Sequence, residues 1–162
     1  MNFQYKRNDI LKGLLVYGIG DSIAAIILGE FQFYRLLGIV LIGATVYAIE
    51  IPNYFNWIES KTASLSGYRK SFYKTMLALL YFNPLWIFRH LIFIKLFSNE
   101  LNFSFKNILI ISLYSFLVNI PISIFGNFII QNKIKLNQRF LASAIFSALM
   151  AIYYALSETL FS

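Results

Sequence analysis

The chain has 162 residues, of which 59% are hydrophobic and 13% charged, and a mean hydropathy of +0.65. A soluble domain carries about 25% charged residues, so this composition excludes a water-soluble globule and leaves a single integral membrane helical-bundle domain over residues 1–162 as the expectation. The net charge is +7, and the absence of cysteine excludes a disulfide, a thiolate nucleophile and a thiolate metal site.

Five apolar segments follow one another: Ile10–Leu28, Phe33–Ile51, Met76–Phe97, Ile108–Ile130 and Phe140–Phe161, of 19, 19, 22, 23 and 22 residues. A hydrocarbon core of ~30 Å needs ~20 helical residues, so each can span. The runs are continuously apolar and do not alternate, which predicts helices and argues against a β-barrel. The expected fold is therefore all-α, a polytopic membrane protein of about five transmembrane helices, with four as the alternative count. The residues outside the spans are too few for a soluble catalytic domain. The first span holds an acidic residue and lacks a small-residue cleavage site, so it reads as a retained helix.

In the first span, "GDSIAAIILGE" (Gly20–Glu30) places Asp21 roughly 3 Å from the midplane. A lipid-facing carboxylate there costs at least ~2.5–3.5 kcal/mol, so Asp21 must face protein or water. Gly18 and Ala25 share its face and allow another helix to come close. The second span closes on Glu50, near Lys70 and Lys74. The third contains Asn83, Pro84, Arg89 and His90. Arg89 lies at a depth similar to Asp21 and is the expected partner, either as a lock between two helices or as part of a polar lining. His90 is the only histidine, so a metal site is not expected.

The fourth span carries Pro121 between Asn119 and Asn127. Pro84 and Pro121 each free a backbone carbonyl and tend to kink their helices, and the nearby asparagines are candidates to satisfy the freed groups. The fifth span has Ala144, Ala148, Ala151 and Ala155 on one face, a close-packing seam within the chain or between copies in a homo-oligomer. Glu158 near its end lies within expected reach of Lys95 or Lys106.

Lysine and arginine are distributed unevenly. Ten of the 14 precede the first span, sit in its first turn or lie in the second and fourth loops: Lys6, Arg7, Lys12, Lys61, Arg69, Lys70, Lys74, Lys133, Lys135 and Arg139. Only Arg35, Lys95 and Lys106 lie on the other side. This is the positive-inside pattern and places the N-terminus on the cytoplasmic or matrix face. The basic loops are then topology signals, compatible with anionic headgroups, and no nucleic-acid partner is expected. Tyr54, Phe55, Trp57, Tyr68, Phe72 and Tyr73 flank the second loop as an interfacial belt. No dinucleotide, G-x-S-x-G or H-E-x-x-H motif is present and the seven acids are scattered, so neither an enzyme nor a cofactor is expected.

Several landmarks carry a family resemblance. They are "YGIGDSIA" (Tyr17–Ala24), "IPNYFNWIE" (Ile51–Glu59), "KTMLALLYFNP" (Lys74–Pro84), "PISIFGNF" (Pro121–Phe128) and the closing "RFLASAIFSALMAIYYALS" (Arg139–Ser157). In order and spacing, over nearly the whole chain, they resemble the Mpv-seventeen / peroxisomal membrane protein twenty-two family. The matches are its first-helix Gly-Asp, its Gly-Pro-x-x-His-x-Trp-Tyr motif (Pro52 to Trp57), its helix-three proline and its Trp-Pro to Asn-Phe step (Pro121 to Asn127). The departures are Ala25 for Gln, Ile51 for Gly, Phe55 for His, Ile58 for Tyr and Ala78-Leu79 for Asp-Gln, and the second Val-Pro is missing. The resemblance implies a channel-like protein of an inner mitochondrial or peroxisomal membrane, in a family described with four spans. A weaker resemblance, through "FYRLL" and "FGNFIIQNK", is to small bacterial alanine exporters, which would place the chain in a bacterial inner membrane.

The expected function is a channel-like conduit or exporter for small solutes. Asp21, Arg89, His90, Asn83, Asn119 and Asn127 would line or gate it, with space opened at Pro84 and Pro121. The alternative is a non-transporting scaffold or subunit whose polar residues only hold helices together.

Overall fold

The computed structural model describes residues 4–82 and 84–161, with side chains through Ile152. Asn83 and the side chains of Ala155 and Glu158 lie outside the described residues. The described residues are helical and contain no strand. The helices are α1 (Arg7–Ile27), α2 (Phe33–Ile42), α3 (Ala48–Lys61), α4 (Gly67–Tyr81), α5 (Pro84–Phe97), α6 (Phe105–Lys133) and α7 (Leu136–Phe161). A five-residue π-helical segment, Gly43–Tyr47, joins α2 to α3 without interruption. Four stretches are long and apolar enough to cross a membrane: Arg7–Ile27, Phe33–Lys61, Gly67–Phe97 and Phe105–Lys133. In α7 the apolar part described at side-chain level is Leu136–Ile152. These helices fit an integral membrane protein.

The helices run past the apolar segments that signal them. The second apolar segment stops at Ile51, but the helix continues through polar and aromatic residues to Lys61. The third begins at Met76, but α4 starts at Gly67. Hydropathy reports the lipid-soluble part of a helix; backbone hydrogen bonding continues into the interface. The two prolines of the apolar segments behave differently. Near Pro84 the stretch is divided: α4 ends at Tyr81, Phe82 is non-helical (φ −82°, ψ 45°), and α5 starts at Pro84. A first helical residue needs no N–H, so proline fits there. Pro121 lies inside an unbroken α6.

The ends of α1 and α5 are built alike. Gly29 (φ 71°) donates to the Ile26 carbonyl and Glu30 to that of Ala25, at 3.1 and 2.8 Å. Asn99 (φ 57°) donates to Leu96 and Glu100 to Lys95, at 3.3 and 3.0 Å. Both are Schellman caps with a left-handed residue followed by glutamate, in the related stretches "GEFQF" and "NELNF". Glycine and asparagine are the residues that adopt this conformation at least cost.

The chain forms two compact units, Met1–Asn53 with Phe140–Ser162, and Tyr54–Arg139. In the first, α1 exposes Leu11, Leu15, Ile19, Ile23 and Ile26 and buries Gly13, Tyr17, Gly18, Gly20, Asp21, Ala24 and Ala25. Large aliphatic side chains outside and small or polar ones inside is the reverse of a water-soluble helix and suits a lipid surround. The buried face lets backbones meet. A Cβ on Gly13 would stand 2.0 Å from the Gly43 carbonyl oxygen, and one on Gly20 would stand 2.4 Å from the Cβ of Ala148 in α7. Tyr17 and Tyr47 pack beside the Gly13–Gly43 crossing, with ring centroids 4.7 Å apart.

In the second unit α6 packs on α4 and α5. It buries Ile108, Ser112, Asn119, Gly126, Asn127, Ile130 and Gln131 and exposes Leu109, Leu113, Leu117, Val118 and Phe125 among others. Asn132 ties α6 to α4, its Nδ2 donating to Thr75 Oγ1 at 3.2 Å. Tyr54 OH, on α3, donates to the Leu77 carbonyl of α4 at 2.8 Å.

Candidate functional site

Most of the polar residues buried in this apolar chain fall into three groups, and these are the candidate site. The first is in the first unit. Asp21 is 8% exposed and Arg35 5%, and their side chains meet in a two-point clasp. Arg35 Nε donates to Asp21 Oδ2 at 2.9 Å and Nη2 to Oδ1 at 2.8 Å. Fork-on-carboxylate geometry is the strongest form of this pair and stabilises both ions away from water. The exposed Glu30 stands 3.6 Å from Arg35 Nη1 and adds a second, looser anion.

This corrects the expected partner. Arg89 lies on α5 in the other unit, and the Asp21 carboxylate is held by Arg35. The cap at Gly29 reverses the chain within five residues of Ile27, so α2 begins at Phe33 and Arg35 sits in its first turn. From there its long side chain reaches back to α1. A charge count that reads Arg35 only as one of the three cations on the other side loses this contact.

The second group is Glu59, near the end of α3. It accepts from Lys74 Nζ of α4 and from Arg139 Nη1 at the start of α7. Arg139 also donates to the Ile134 carbonyl at 3.0 Å and to Gln131 Oε1 at 3.3 Å. One carboxylate thus gathers side chains from α4 and α7, with Gln131 of α6 behind them. Lys74 and Arg139 are buried, and Gln131 is fully so. Gln131 Nε2 has no hydrogen-bond partner among the described residues. None of these four residues stood out as a site residue in the sequence. Lys74 was expected near Glu50; its partner is Glu59. Lys95 was expected near Glu158; it pairs with Glu100, beside the α5 cap.

The third group is a polar ladder along α6: Ser112, Ser115, Asn119, Ser123, Asn127 and Gln131, spaced three and then four apart, a row that winds slowly around the helix with Ser115 and Ser123 half-buried. Asn119 Nδ2 donates to the Ser115 carbonyl at 2.6 Å and Asn127 Nδ2 to that of Ser123 at 2.9 Å. Both bonds run four residues back, the usual reach of a short polar side chain in a helix. The carbonyl that Pro121 leaves without its N–H partner is that of Leu117, and neither asparagine takes it, contrary to expectation.

The other sequence candidates are on α5 and α7. Arg89 and His90 are half-buried on α5, and the His90 ring stacks on Trp86 one turn earlier, 5.5 Å between centroids and 12° between planes. Of the alanine seam, Ala144 is fully buried, Ala148 meets Gly20, and Ala151 is half-buried. Among the described residues no three acidic, histidine or cysteine side chains come together as a metal site. No protein-family model matches the sequence, and no curated protein or solved structure matches it.

Proposed function

We propose that this protein is a small polytopic membrane protein, of five spans with its N-terminus on the cytoplasmic or matrix face, that conducts or exports small solutes. The observation that supports this reading is the polar ladder of α6. A buried helix face in a membrane needs only small and apolar residues to pack, and each buried polar group there carries a desolvation cost. Asn119, Asn127 and Gln131 lie on a buried face where leucine or alanine would pack. Polar groups kept inside a membrane bundle suit a path for something polar. The resemblance to channel-like organellar proteins leans the same way.

Solute release from liposomes containing the purified protein tests this, with neutral, cationic and anionic tracers of graded size. Wild type is expected to release small tracers above empty liposomes. An Asn119→Leu/Asn127→Leu variant that keeps its helicity and melting behaviour is expected to lose that release. Equal release by both proteins, or none from folded wild type, overturns the reading.

A scaffold is the second reading, and the Asp21–Arg35 clasp favours it. The clasp satisfies both ions internally and joins α1 to α2 with no solute involved. If Asp21→Asn and Arg35→Gln each unfold the protein and the double change restores it, that pair is a lock and no part of a path.

A further inference from the structure

The loop between α3 and α4 carries a groove that neither ion-pair cluster uses. It has a volume of ≈ 570 Å³ and is lined by Trp57, Lys61, Ser64, Leu65, Arg69 and Tyr73, among others. Its chemistry is two-sided. Lys61 and Arg69 are exposed, and among the described residues no carboxylate holds either of them. Glu59, two residues before Lys61 in the chain, is occupied by Lys74 and Arg139. Lys61 Nζ instead stands over the Trp57 ring, 5.9 Å from its centroid. Leu65, Tyr73 and Leu77 give the rest of the lining an apolar and aromatic side, beside the small polar Thr62 and Ser64.

The groove lies where Phe33–Lys61 ends and Gly67–Phe97 begins, between the end of the second apolar segment at Ile51 and the start of the third at Met76, in the polar and aromatic ends of two stretches long and apolar enough to cross a membrane. Exposed Tyr68 and Phe72 lie beside it in the chain, as interfacial anchors do. Two cations without a carboxylate partner, beside aromatic and aliphatic side chains, complement a phosphate with acyl chains attached to it. A free phosphate would use the cations and leave those side chains without a counterpart.

We propose that this groove binds the headgroup of an anionic phospholipid. Lys61 and Arg69 hold the phosphate, the guanidinium by paired N–H donors, and Trp57, Leu65 and Leu77 pack on the upper acyl chains. The site is independent of any solute path.

Trp57 is its own reporter. In a Trp86→Phe background it is the only tryptophan, since the chain has two. The protein is reconstituted in phosphatidylcholine vesicles carrying a minor, equal fraction of either chain-brominated phosphatidylglycerol or chain-brominated phosphatidylcholine. Bromine quenches tryptophan on contact, so the ratio of the two quenching constants reads the lipid preference at Trp57. Anionic lipid is expected to quench more strongly. Lys61→Gln/Arg69→Gln is expected to erase the preference, by roughly fivefold in local enrichment for each cation. Lys61→Arg/Arg69→Lys is expected to keep it. Lys133→Gln/Lys135→Gln removes the same charge from another exposed basic stretch and is expected to leave it unchanged. Equal quenching by the two lipids overturns the proposal. So does a preference that survives the first variant or is lost equally in the last, which would report general surface charge. Loss of the preference on adding inorganic phosphate would assign the cations to a free phosphate and overturn the lipid source.

Discussion

The two buried charge clusters solve one problem in different ways. Asp21 and Arg35 are 14 residues apart, joined by a capped turn, and clasp directly, with Glu30 as a looser second anion. Glu59 finds its partners 15 and 80 residues away and faces two cations. The first is a hairpin contact that can form as soon as α1 and α2 exist. The second requires α3, α4 and the start of α7 together, and it carries an excess of positive charge. A local pair fixes a neighbour, whereas a long-range cluster fixes a topology. The clusters should therefore fail differently when an anion is removed.

Glu59→Gln is expected to have the largest effect. It leaves Lys74 and Arg139 buried without a counter-ion, which costs about 3–5 kcal/mol. In detergent this should appear as a loss of cooperative melting or a large drop in Tm. A drop no larger than that of an exposed charge mutant would mean that the cluster is solvated and contributes little. Asp21→Asn should cost less, about 2 kcal/mol, because the amide still accepts one bond and Glu30 remains near Arg35. Its thermal shift, compared with that of Glu59→Gln in one buffer, orders the two clusters; a reversed order breaks the contrast between local and long-range pairs. Glu30→Gln is expected to be the mildest, ~0.5 kcal/mol or less, since Glu30 is 58% exposed and 3.6 Å away. In an Asp21→Asn background the same change should cost more, and a double-mutant cycle measures by how much.

The same contrast explains what could be read from the sequence. The helical membrane character was legible because length and continuous apolarity are local properties. The helix ends were not, because "NYFNWIESK" and "GYRKSFY" stay helical after hydropathy has fallen. Asp21 was legible as a buried group from the apolar run around it. Its partner was misassigned because Arg89 matches Asp21 in depth, whereas Arg35 starts at the very beginning of its span and reaches Asp21 only through its long side chain. One signal was available: "LGEF", a left-handed cap that keeps the turn short enough for Arg35 to reach back. The Glu59 cluster had no such signal. Interfacial charges usually make weak pairs, and nothing in a linear sequence brings residue 139 to residue 59. The asparagines of α6 were legible as buried polar residues; their hydrogen bonds were not, because side-chain reach and not the position of the proline decides which carbonyl they take.

The matching caps at Gly29 and Asn99 bear on how such a chain enters a bilayer. A helix end inside or near lipid cannot leave its last carbonyls bare, and most helices rely on water or a neighbour to cover them. Here α1 and α5 cover two of theirs with their own next residues, before any other helix has arrived. Each of these two helices ends partly sealed, with the chain already turned toward the helix that follows. Insertion by hairpins, with lateral assembly afterwards, is the biogenesis that this arrangement favours.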